Sequence, residues 1–250
     1  MLRGIADIRE VAEVHGAGHD GGLIVVTTRH AASHQLRTAM VRLHEEMPAL
    51  DVRVYEEEPA SAATMLRTGA ANLGILSESA ERYPDLLYFP IEQWRLVLVA
   101  PRGHALCSLA TVTFEALARY PLCSYERSAI SRQVIDEAFR EAGWRSLVAY
   151  SLGSSTMILE YVESGVGVGI LGEAAFDPTR NPNLRGIDIG HLFRPLTTDV
   201  VLPRTARVPN FVYGLARILV PSLTRETIED ARNAPTVCPP RVSERLGLGA

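Results

Sequence analysis

Short apolar runs in this chain alternate with stretches whose apolar residues return every three or four positions, and that alternation predicts most of its elements. Leu23-Ile24-Val25-Val26-Thr27-Thr28 is a β-rich run. After it Ser33, Leu36, Met40, Leu43 and Met47 share one helical face until Pro48 stops the pattern. The same reading predicts strand 23–28, helix 30–47, strand 51–56, helix 60–68 and strand 72–77, with turn residues at the joins. Strands and helices in this order predict parallel β-α-β units with right-handed crossovers.

Two further β-rich runs, 86–90 and 95–100, precede a break at Pro101-Arg102-Gly103-His104, where a second α/β region begins. Its helices are predicted at 114–118, 131–142 and 155–163, the last two ended by Gly143 and Gly165, and its strands at 122–125, 147–151 and 166–171. A strand at 197–202 and an amphipathic helix at 209–220 follow. From Thr227 the pattern fades, and residues from Asn233 onward read as a loose tail. At the other end, residues 2–15 read as one amphipathic helix and His15 to Gly22 as a connection.

The chain has 250 residues, 47% of them hydrophobic, enough for one large domain or two lobes with ample core. No apolar run approaches the roughly 20 residues of a membrane span, and the first residues lack a signal-peptide core, so a cytoplasmic location away from membranes is expected. Cys107, Cys123 and Cys238 are far apart and are expected to be free thiols. With a net charge of −4 and scattered basic residues, this segment is not expected to hold a nucleic-acid backbone.

The chemistry centres on Thr27, Thr28 and the helix start behind them. The first N–H groups of a helix lack intrahelical acceptors and carry partial positive charge, so this is a place to hold a small anion. Thr28 as an ordinary helix cap is the competing reading. His30 and His34 stand at i, i+4 but have no third ligand, so no metal is expected. Gly165-Val166-Gly167-Val168-Gly169 follows a helix and precedes a β-branched run, the reverse of a dinucleotide fingerprint, and reads as a tight turn with close backbone approach. Glu56-Glu57-Glu58 reads as a solvated run, and Trp94 as either a core aromatic or a pocket wall. No nucleophile elbow or Cys–His pairing is visible, so neither catalytic residues nor a cofactor are expected.

Taken together, Gly22 to Thr28, Trp94-Arg95-Leu96-Val97-Leu98-Val99 with Gly103-His104, Ala118-Arg119-Tyr120-Pro121-Leu122, Ile135-Asp136-Glu137-Ala138-Phe139, and Tyr161-Val162 with Gly165 to Gly169 resemble the effector-binding domain of LysR-type transcriptional regulators, in its CysB/Cbl-like subfamily. The resemblance runs from about residue 2 to about residue 230. It implies an α/β, two-lobed, periplasmic-binding-protein-like (type II) fold: two Rossmann-like subdomains joined by crossing strands, with a ligand in the cleft between them. It divides the chain into the end of a linker helix with a loop (1–20), a first lobe (21–99 with 198–232), a second lobe (100–197) and the tail (233–250), with hinges near residues 99–101 and 197–200. The implied ligand-binding residues are Thr27, Thr28, His30, Ser77, Trp94 and Ser131. The implied partners are a small effector such as sulfate, acetylserine or a related small acid, a second copy in a homodimer or tetramer, and DNA only through a winged helix-turn-helix that this segment does not contain.

Three departures from the subfamily pattern predict an altered effector, larger and partly apolar. Arg29-His30-Ala31 stands in place of His-Thr-Gln, Ser77 in place of a threonine, and Ile130-Ser131 in place of Thr-Gly. His30 would make binding pH-dependent. The expected role is therefore a non-enzymatic ligand sensor. A solute-binding protein of a transport system and a stand-alone ligand-binding remnant are the alternatives.

Overall fold

Strand β1 (Leu23–Thr27) is buried at every position, as a strand with helices on both faces must be. The computed structural model describes residues 22–28, 36–77, 82–205 and 207–234. The leading helix, the connection as far as residue 21, residues 29–35 with His30 and His34, and the tail with Cys238 lie outside the described residues. The chain divides into two units, Met1–Glu92 with Thr197–Ala250 and Gln93–Leu196.

In the first unit β1 is followed by α1 (Arg37–Glu46), β2 (Val52–Glu56), α2 (Pro59–Thr68), β3 (Leu73–Ser77) and β4 (Leu86–Trp94), whose last two residues belong to the second unit. After the second unit come β10 (Leu196–Pro203), α6 (Asn210–Leu219) and α7 (Arg225–Asn233). The sheet order is β2-β1-β3-β10-β4. β1 is parallel to β2 and β3, as the alternation predicts, and β10 runs antiparallel to β3. Alternate residues go to opposite faces. Leu23, Val25, Ile75 and Val200 pack with Leu43 of α1, Leu215 of α6 and Ile228 of α7. Ile24, Val26, Leu76 and Val201 pack with Leu66 of α2.

The second unit contains β5 (Leu96–Pro101), α3 (Phe114–Leu117), β6 (Leu122–Tyr125), α4 (Ile130–Glu141), β7 (Val148–Leu152), α5 (Ser155–Glu163), β8 (Val168–Gly172) and β9 (Leu184–Asp188). Its sheet order, β7-β6-β8-β5-β9, follows the plan of the first: a strand flanked by two parallel neighbours, then an antiparallel one. Leu98, Leu122 and Ile170 pack with Ile135 and Phe139 of α4, while Val99, Cys123 and Leu171 pack with Ile158 and Val162 of α5.

Several boundaries and one element differ from expectation: β4 runs on to Trp94, past residue 90, and β9 has no counterpart in the predicted pattern. The passage into the second unit lies between Glu92 and Gln93, ahead of residues 99–101, because all of β5 pairs within the second sheet. The pattern does not fade at Thr227, since α7 runs to Asn233 with Thr224 Oγ1 accepting the Thr227 N–H at 3.0 Å. It buries one residue, Ile228, which is too little to register as periodicity. β8 starts at Val168 rather than 166. Gly165 takes a left-handed conformation, φ +78°, and a Cβ on Gly167 would lie 2.3 Å from the Pro121 carbonyl oxygen, so the turn extends through both.

Candidate functional site

Three hydroxyls meet at the carboxyl edge of the first sheet. Thr27 ends β1 fully buried, and its Oγ1 donates to carbonyl oxygens, that of Ile75 at 3.0 Å and that of Thr28 at 3.2 Å. Its hydroxyl proton is thus committed to the main chain, and Thr27 joins β1 to β3. Thr28 carries the next step. Its N–H donates to the Ile75 carbonyl at 3.3 Å, and its Oγ1 accepts the Ser77 N–H at 3.0 Å and donates to Ser77 Oγ at 3.3 Å. A hydroxyl has one proton, so this arrangement leaves the Ser77 proton for another acceptor. Donors in series polarise one another. Thr198 pairs with Ser77 across β10 and is buried on the same sheet face.

The other expected ligand residues are Trp94, Ser131 and His30. Trp94 is 3% exposed inside the second unit's core with Leu96, Leu196 and Ile189, so of its two readings the structure supports the core aromatic. Ser131, in the first turn of α4, is 5% exposed, and that helix has no side-chain cap. His30 lies outside the described residues. The structure therefore brings together Thr27, Thr28 and Ser77, and places Ser131 on the other unit.

Sequence reading passed over Thr198, Asp199 and Arg132. Thr197-Thr198-Asp199 interrupts an otherwise apolar strand, a signal that polar groups are needed there. Asp199 is buried and pairs with Arg82 at 3.1 Å. Arg132, also buried, donates from Nε to Asp136 at 2.9 Å and from Nη1 to the Tyr125 carbonyl and Ser151 Oγ, tying α4 to β6 and β7.

Tyr125 ends β6, the corresponding strand of the second sheet. The buried Tyr125 hydroxyl lies 2.7 Å from Ser155 Oγ at the start of α5 and accepts the Gly172 N–H at 3.5 Å, and burial pushes its pKa up. Burial also pushes the Cys123 thiol up to about 11. Among the described residues no three His, Cys, Asp or Glu side chains are grouped to hold a metal, and no helix is long and apolar enough to cross a membrane.

Residues 16–223 match the family model of the LysR substrate binding domain. The chain is 32% identical over 228 residues to the HTH-type transcriptional regulator SsuR of Burkholderia cenocepacia, covering 91% of this chain and 74% of that protein. It is 32% identical to CysB of the same organism, covering 92% and 74%, and 28% identical to cbl of Escherichia coli, covering 92% and 72%. The cofactor-binding domain of the Cbl transcriptional regulator superposes with a TM-score of 0.79 at 28% identity, covering 87% of this chain and 98% of that one. The effector binding domain of QuiR in complex with shikimate, at 14% identity and a TM-score of 0.71 over 81% and 97% of the two chains, shares the fold. That fold is the periplasmic-binding-protein-like type II, and regulators of this class bind small-molecule effectors and DNA. With the family model matching most of this chain and relatives at this level of identity, the chain belongs to the LysR substrate-binding-domain family, as an effector-binding domain of a CysB-like transcriptional regulator.

Proposed function

We propose that the chain senses a small acid, related to sulfur metabolism, through the carboxyl edge of its first sheet. The observation that carries this reading is the Thr28–Ser77 pair, in which Thr28 uses its own proton on Ser77 and leaves the serine proton as a donor to an oxyanion. Sulfate and small carboxylates are acceptors only, so an edge that offers O–H donors selects for them. Ser131, buried in the uncapped first turn of α4, is the corresponding donor on the second unit. His30 adds positive charge as pH falls. Thr27 shapes the edge without donating to the ligand, and Trp94 supports the core. The ligand acts by differential affinity for two states of the domain, with no bond made or broken.

The same reading makes the chain a homodimer or tetramer. Val41 on α1, Val54 on the edge strand β2, and Trp144 and Leu147 next to the edge strand β7 are exposed large apolar residues of the kind a second copy would cover.

The test is calorimetric titration and thermal unfolding with sulfate, thiosulfate, acetylserine and aromatic acids. A ligand at about 100 times its Kd adds about 2.7 kcal/mol, a midpoint rise of roughly 5–10 °C. A rise with sulfate or acetylserine that Ser77→Ala abolishes supports the reading. A rise that Ser77→Ala leaves intact moves the ligand elsewhere.

A further inference from the structure

Arg132 stands in the first turn of α4 beside Ser131, with 5% of its side chain exposed. Helix preference does not explain it there. The helix dipole disfavours a cation in the first turn, and a guanidinium taken out of water needs partners for its charge and its N–H groups. The fold supplies both. Nε donates to Asp136 Oδ2 at 2.9 Å, one turn further along α4, and Nη1 donates to the Tyr125 carbonyl at 3.3 Å and to Ser151 Oγ at 3.1 Å. Asp136 is fixed in turn, because its Oδ1 accepts the Ser146 hydroxyl at 2.7 Å. One side chain thus ties the start of α4 to the last residue of β6 and to β7, and its carboxylate partner ties the same helix to the chain ahead of β7.

The start of α4 needs such a tie. Its N-cap position is Ala129, which offers no side-chain acceptor, and an uncapped first turn frays. Ser131 lies in that turn, 5% exposed, and among the described residues its hydroxyl makes no hydrogen bond. On a fraying turn that donor would be spread over positions further apart than a hydrogen bond tolerates.

We propose that Arg132 is a positioning residue for Ser131: its hydrogen bonds to β6 and β7 anchor the uncapped first turn of α4 and so hold the Ser131 hydroxyl in place to meet an oxyanion. The inference rests on the reading of Ser131 as the ligand donor of the second unit. Arg132 acts through the serine, and the two residues must therefore be coupled in binding. A planar guanidinium meets a carboxylate, a carbonyl and a hydroxyl at once, whereas an ammonium is a single point of charge, so lysine at position 132 restores only part of the hold.

The experiment uses the full chain with Arg132→Met, Arg132→Lys, Ser151→Ala, Ser131→Ala and the double variant Ser131→Ala/Arg132→Met. Sulfate and acetylserine affinities are measured by calorimetry, and amide hydrogen exchange is followed over 129–133 and, as a control in the same unit, over 168–172. Ser131→Ala and Arg132→Met are each expected to weaken binding about tenfold, Arg132→Lys and Ser151→Ala about threefold, and the double variant to bind within about twofold of Ser131→Ala alone. Exchange in Arg132→Met is expected to be faster over 129–133 and unchanged over 168–172. A residue that only supported the unit would speed exchange in both segments and weaken binding equally with or without the serine. Wild-type affinity in Arg132→Met, an undiminished effect of that change in the Ser131→Ala background, or equal acceleration in both segments overturns the proposal. Wild-type affinity in Ser131→Ala overturns it too, and leaves the Ser77 reading intact. If Arg132→Met does not fold, Ser151→Ala carries the same comparisons, alone and combined with Ser131→Ala. If the unaltered chain binds neither probe, the reading of the ligand site fails on its own. The exchange data then decide whether Arg132 anchors the turn: acceleration confined to 129–133 upholds it, and unchanged exchange overturns it.

Discussion

Thr28 Oγ1 stands 3.0 Å from the main-chain nitrogen of Ser77 and 3.3 Å from its hydroxyl, so one threonine secures the end of β3 and also orders the serine beside it. The two roles separate under mutation. Thr28→Val keeps the shape and removes the acceptor of the buried Ser77 N–H, and is expected to cost about 1–3 kcal/mol in urea unfolding as well as affinity. Ser77→Ala removes the proposed ligand donor and the acceptor of the Thr28 proton while its N–H keeps Thr28 as acceptor, so a loss of ligand affinity with a smaller fall in the urea midpoint than in Thr28→Val is expected.

Ile228 is 2% exposed and is the buried residue of α7, and Arg204 holds the other end of that helix through Nη1 bonds to the carbonyls of Ala231, Arg232 and Ala234. Ile228→Ala is expected to destabilise the first unit by about 2–4 kcal/mol, read as a lower urea midpoint. Arg204→Met should leave the midpoint closer to wild type and speed amide exchange over 225–234, because it frees the helix end without opening the core.

His104 is kept below its ordinary pKa by burial, with Nδ1 accepting the Leu106 N–H at 3.3 Å and the ring edge-on to Tyr120. The folded state therefore favours the neutral ring. Its contribution to stability is complete above the unfolded value of about 6.5 and is lost as pH falls through the lower folded value. The urea midpoint of the wild type should drop across that range, and His104→Asn, which keeps an acceptor and cannot titrate, should flatten this part of the profile.

Cys123 is fully buried with its thiol pushed up to about 11, while Cys107 is partly exposed and hydrogen-bonded to the Pro101 carbonyl at 3.4 Å. Iodoacetamide on the native chain at mildly alkaline pH should therefore modify Cys107 well before Cys123, and peptide mass mapping shows which reacted. Equal rates would mean that β6 opens far more readily than its packing implies.

The central strands were legible because they are continuous apolar runs between helices of clear period, and β1, β3 and β6 fall where their hydrophobic runs lie, whereas β9, Leu184–Asp188, is short and half polar and left no such run. α7 escaped notice because one buried isoleucine makes no stripe, and its stability comes from the Thr224 cap and the Arg204 side chain, which lies far away in sequence. The site was legible at Thr28 and Ser77, where hydroxyls end apolar strands. Thr27 looked identical to Thr28 in sequence, and the direction of its hydrogen bonds sets the two apart. Arg82 and Asp199 were invisible as a pair because 117 positions separate them.

The two units repeat one strand plan, so each presents the end of its central strand at an equivalent place. The first ends in Thr27 and Thr28, and the second ends in Tyr125, whose phenol fills the gap between Ser155 and Gly172. One strand plan thus carries two kinds of side chain at the same place: short hydroxyls joined to Ser77 in the first unit, and a phenol joined to Ser155 and Gly172 in the second.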